Sequence, residues 1–111
     1  MSTDPRDRYD EVVSELVATA PVKSGKMFGM PCLKHHESGK AFAGFYEGAM
    51  VFKLTGSQLS EALLLSGAHL FDPMGGRPMK EWVEVPVEHA SHWVQLAQEA
   101  LRYVDEAQQR K

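Results

Sequence analysis

At 111 residues, with 43% apolar and 24% charged side chains, the chain has the size and composition of one globular domain; a disordered segment or two ordinary domains are excluded. A net charge of −3 argues against a general nucleic-acid binder. A single cysteine, Cys32, excludes an internal disulfide and points to a reducing compartment.

The first element is a helix. Asp4 is placed as its N-cap, Pro5 suits the first helical position, and Asp7 sits where the helix dipole favours negative charge. Tyr9, Val12, Val13, Leu16 and Val17 recur at helical spacing, and Pro21 ends the run. Three strands are predicted next, over residues 26–34, 40–46 and 49–54. The first is punctuated by Gly29 and Pro31, which predicts an edge or a bulge at Pro31. In the third, Met50, Phe52 and Leu54 alternate with Ala49, Val51 and Lys53, so one face is buried. A short helix follows, capped by Thr55 or Ser57, lined by Leu59, Ala62 and Leu63, and stopped near Gly67. Residues 69–71 and 80–85 read as two more strands around a turn at 72–78. Trp93, Leu96, Ala97, Ala100, Leu101 and Val104 form the clearest helical stripe, and the polar tail from Asp105 is expected to fray.

The predicted class is therefore α+β. The chain forms a two-layer sandwich in the order α-β-β-β-α-β-β-α, with an antiparallel sheet covered by helices. It is one domain over residues 1–111, with an ordered core from about 4 to 105. Residues 1–10 are polar and charged, so no signal peptide is read there. Apolar runs such as 62–65 fall far below the ~18 residues of a membrane span. A cytoplasmic protein with no membrane partner is expected.

Four segments carry a family resemblance. Lys26-Met27-Phe28-Gly29-Met30-Pro31 resembles the signature that opens the first strand of TfoX N-terminal-like domains. Lys40-Ala41-Phe42-Ala43-Gly44-Phe45, Val51-Phe52-Lys53-Leu54 and Trp82-Val83-Glu84-Val85-Pro86 resemble later strands of that family, in the same order. YjbR/MmcQ-like domains are similar in general arrangement. The resemblance implies a fold like that of type III secretion chaperones. It brings no catalytic residues and no cofactor. The family's named member regulates natural competence with a second, C-terminal domain, for which no room is expected after Val104.

Several groupings bear on function. Cys32 and His36, with His89 and His92, are weighed as metal ligands against a buried thiol and two exposed turn histidines, His35 and His36. Cys32 with His36 as base is the enzymatic alternative, although nothing in the strand lowers the thiol pKa. Five lysines (Lys23, Lys26, Lys34, Lys40, Lys53) against Glu37 and Glu47 give residues 21–55 a local excess of +3, a weak alternative site for nucleic acid. The turn at 72–80 is the most unusual segment. Gly75 and Gly76 permit close backbone approach, Arg77 is suited to bidentate contact with a carboxylate or phosphate, and Lys80 and Trp82 stand beside it. Met74 and Met79 flank this turn as candidates for an exposed apolar patch, while Phe28 and Phe71 are assigned to the core. The expected function is a non-enzymatic binding or regulatory module. It is expected to contact a protein or small anionic ligand through one sheet face or the loop at 75–77, with Gly75, Gly76, Arg77, Lys80 and Trp82 as the candidate contact residues. No resident metal or cofactor is expected, and an edge strand permits a homodimer.

Overall fold

Asp4 caps helix α1 (Pro5–Thr19) by accepting the Arg6 N–H at 2.9 Å in the computed structural model, which describes residues 4–27, 29–73, 75–76 and 78–109. Tyr9, Val12 and Leu16 are buried along one side of α1, while Val17, at the margin of the predicted stripe, is 52% exposed. The chain then enters two strands, β1 (Val22–Met27) and β2 (Met30–His35), where one strand over 26–34 is predicted. Met27 pairs with Met30, and Gly29 at φ 77° supplies the left-handed backbone that the tight turn between them requires. Phe28 lies outside the described residues.

Strands β3 (Ala41–Tyr46) and β4 (Ala49–Lys53) continue the meander. Pro31 precedes Cys32, the first β2 residue paired with β3, so its missing N–H breaks no bond in that ladder. The bulge falls elsewhere: Leu33 faces Ala43 and Lys34 faces Ala41, which leaves Phe42 as the extra residue. Phe42 and Ala43 consequently both enter the helix-side core. Helix α2 (Gly56–Leu63) follows, then β5 (His69–Phe71) and β6 (Met79–Pro86), a 3₁₀ turn over Val87–His92, and α3 (Trp93–Gln109). Helix α2 ends at Leu63 with Leu64 as its C-cap, earlier than the predicted stop at Gly67, which takes φ 86° in the following turn. Helix α3 runs on through Asp105 to Gln109, beyond the end of its apolar stripe.

The six strands form one antiparallel sheet in the order β1-β2-β3-β4-β6-β5. The fold is the predicted α+β sandwich, with helices packed on one face of the sheet. The main core gathers Leu16, Phe42, Met50, Phe52, Val83 and Trp93 from helices and strands. Trp93, Phe42 and Phe52 have no exposed surface, and burying each contributes about 1.5–3 kcal/mol. A helix-free cluster of Met30, Val51, Phe71 and Trp82 occupies the opposite face, with Met27, Tyr46 and Met79 against it. Tyr46 of β3 and Phe71 of β5 meet edge to face, ring centroids 5.0 Å apart. Two strands lie between β3 and β5, a lateral distance of about 14 Å in a flat sheet. The sheet therefore curls around its second cluster. Among the described residues no helix is long and apolar enough to cross a membrane.

Candidate functional site

The β5–β6 loop holds Gly75 and Gly76, and Lys80 and Trp82 follow it in β6. Gly75 and Gly76 take φ of 72° and 120°, conformations open to glycine at little cost. Their amides converge on one carboxylate, that of Asp72. Gly75 N–H donates to Oδ1 at 2.9 Å and Gly76 N–H to Oδ2 at 2.8 Å. Two consecutive backbone donors on one anionic group form a nest, the backbone motif that binds carboxylates and phosphates. Lys80 is exposed, and Trp82 is 8% exposed within the second cluster. Arg77 and Met74 lie outside the described residues. Phe71 belongs to the second cluster, and Met79 packs against it half-buried.

A polar group crosses the same face. Glu84 sits opposite Val51 in the middle of the sheet, and its Oε2 lies 3.7 Å from His69 Nε2. His69 Nδ1 lies 3.0 Å from the Leu70 carbonyl, which can only accept, so that nitrogen is the donor of the pair. Burial pushes the Glu84 carboxyl above its ordinary range; His69 pulls it down and Glu47 pushes it up. The Tyr46 hydroxyl is also raised, first by its hydrogen bond to Glu47. Glu47 itself takes φ 47°, a conformation uncommon outside glycine, in the β3–β4 turn.

The sequence reading missed a second arrangement. His35, expected exposed, is 2% exposed. Its Nε2 lies 2.9 Å from Asp105 Oδ1, and its Nδ1 receives the Ser38 N–H at 3.1 Å. Ser38 Oγ lies 3.2 Å from Nδ1 and accepts the Lys40 N–H at 3.3 Å. Hydroxyl, imidazole and carboxylate stand in a row, as in acyl-transfer triads. Here, however, the nitrogen lone pair already holds a backbone donor and the hydroxyl already accepts one. The geometry makes a bracket that ties the β2–β3 turn to α3. The signal was present in the sequence: His35 shares the core-facing parity of Leu33, and Asp105 continues the stripe four residues after Leu101.

Cys32 has no exposed surface, and burial pushes its thiol pKa up, away from the thiolate that nucleophilic chemistry needs. His36 is exposed, and its backbone N–H donates to the Pro21 carbonyl. His89 Nε2 lies 2.8 Å from the Ser66 carbonyl, with the His92 ring 6.3 Å away. Among the described residues no three His, Cys, Asp or Glu side chains gather where they could hold a metal ion. Two described grooves lie on the helical side. One of about 270 Å³ runs beside Asp105, past Pro21 and Leu101; another of about 260 Å³ separates α2 from α3. Neither is lined by Gly75, Gly76, Lys80 or Trp82. Comparison with protein-family models, curated proteins and solved structures finds no match to this chain.

Proposed function

We propose that this chain is a non-enzymatic binding or regulatory module of the cytoplasm. It takes up an anionic group, free or carried on a protein, at the β5–β6 loop, through Gly75, Gly76, Arg77, Lys80 and Trp82. The observation that carries this reading is the carboxylate of Asp72 resting on the Gly75 and Gly76 amides. Asp72 acts as an intramolecular stand-in that an external anion must displace. The resemblance to TfoX N-terminal-like domains favours the same class, and the single buried cysteine suits a reducing compartment.

The test is titration with inorganic phosphate and citrate, followed by amide shifts and by Trp82 fluorescence in a Trp93→Phe background. Asp72→Ala opens the nest and is expected to tighten anion binding; Asp72→Asn keeps an acceptor in place and tightens it less. Lys80→Glu weakens it. Anion affinity unchanged by all three substitutions, or shifts confined to the helical side, would overturn the reading.

A further inference from the structure

The β1–β2 hairpin carries a separate feature at the far edge of the sheet. β1 is the outermost strand and pairs with β2 alone. Alternate N–H and C=O groups along its outer side therefore have no strand partner. Residues 22–35 contain three lysines, Lys23, Lys34 and Lys26, and no aspartate or glutamate. Among the described residues none of these lysines joins an ion pair.

Lys23 and Lys34 are direct cross-strand partners. Like charges at directly opposed positions destabilise a sheet. Lys34 relieves the clash by lying across Gly25: a Cβ at Gly25 would stand 3.1 Å from Lys34 Cε and 3.4 Å from Nζ. Glycine at 25 thus provides the saddle that sets the Lys34 ammonium over the edge strand. Two ammonium groups then mark positions 23 and 25 of β1 on one face, about 7 Å apart along the strand.

We infer that the β1 edge accepts an extended acidic peptide as an added strand, with carboxylates at alternate positions meeting Lys23 and Lys34. Edge backbone groups supply both donors and acceptors, which a peptide matches in full. A nucleic-acid backbone offers phosphate acceptors and no matching row of donors. The lysines that would repel a second copy of this edge attract a strand of opposite charge. This surface lies at the opposite end of the strand order from the β5–β6 loop and does not depend on it.

The experiment uses a blocked heptapeptide alternating valine and glutamate, titrated into ¹⁵N-labelled full-length protein. Three probes accompany it: the same peptide N-methylated at alternate residues, a peptide of the same composition with its glutamates in one block, and oligothymidylate. Amide shifts confined to β1 and β2, with new exchange protection in β1, are expected for the alternating peptide alone. Lys34→Glu reverses the charge, and Gly25→Val displaces Lys34 with net charge unchanged; each is expected to weaken binding about tenfold. Equal binding of the N-methylated or blocked peptide would show attraction without strand pairing and overturn the inference. Tighter binding of oligothymidylate, steeply weakened by salt, would overturn it in favour of a nucleic-acid surface.

Discussion

His35 Nε2 stands 2.9 Å from Asp105 Oδ1 at the end of a sequence separation of seventy residues, and the ring's other nitrogen holds the Ser38 N–H. Truncation of the imidazole removes one partner of the part-buried Asp105 carboxylate and leaves the Ser38 N–H without its ring acceptor. His35→Ala is therefore expected to cost about 2–3 kcal/mol. Asp105→Asn retains an acceptor and is expected to cost about 1 kcal/mol. Urea denaturation followed by circular dichroism measures both, and equal effects would show that the charge contributes more than the hydrogen bond.

The Cys32 thiol provides a second test. Its folded pKa is raised by burial, so the native state keeps its proton where the unfolded chain has lost it. The sign follows: this contribution to stability is complete below the ordinary thiol range, about pH 8.5, and declines as pH rises through the higher folded pKa. Tyr9, raised chiefly by burial, acts in the same direction at still higher pH. Cys32→Ala is expected to show a shallower loss of melting temperature from pH 8 to 10 than the parent. In the parent, a disulfide reagent should react with the thiol only as fast as the domain opens.

Glu84 predicts the opposite end of the titration. Its carboxyl is raised, with burial as the first cause, so the native state holds a proton that the unfolded chain releases. Stability is expected to fall as pH rises from the ordinary carboxyl range, about pH 4.3, through the raised value. Glu84→Gln removes that decline and should match or exceed the parent's melting temperature at pH 7. A lower melting temperature for the variant would show that the His69 contact outweighs burial.

Trp93 is fully buried, yet its indole N–H has no hydrogen-bond acceptor among the described residues. An unsatisfied buried donor costs about 1–3 kcal/mol. Trp93→Phe removes that donor while keeping an aromatic ring, so its packing loss is partly offset. It is expected to cost less than 2 kcal/mol, against about 3–5 kcal/mol for Trp93→Ala. Parallel denaturation curves of the two variants measure the difference.

Local pattern made most of the architecture legible. The Asp4 cap, the alternation of Met50 and Phe52 in β4, and the stripe beginning at Trp93 each reflect a period that one element imposes by itself. The sequence reads as one strand over 26–34 because Val22, Lys23 and Ser24, which open the first arm of the β1–β2 hairpin, show little apolar alternation. Only the return of the chain at Gly29 reveals the second arm. The loop residues were legible through glycine, but the role of Asp72 was not, because a carboxylate three residues away is ordinary in a turn. The His35–Asp105 contact and the meeting of Tyr46 with Phe71 depend on how distant elements close together.

The strand order has a kinetic consequence. β1 through β4 pair in the order in which they leave the ribosome, each with its immediate predecessor. Such short-range closures lose little chain entropy, so this meander can form early. β6 must instead span α2 and β5 before it reaches β4, and that seam closes the longest loop in the sheet. Zipping of Val83 and Val85 against Phe52 and Met50 is therefore expected to be the late, slow step of folding, which slower refolding of a Val83→Ala variant with little change in its unfolding rate would check.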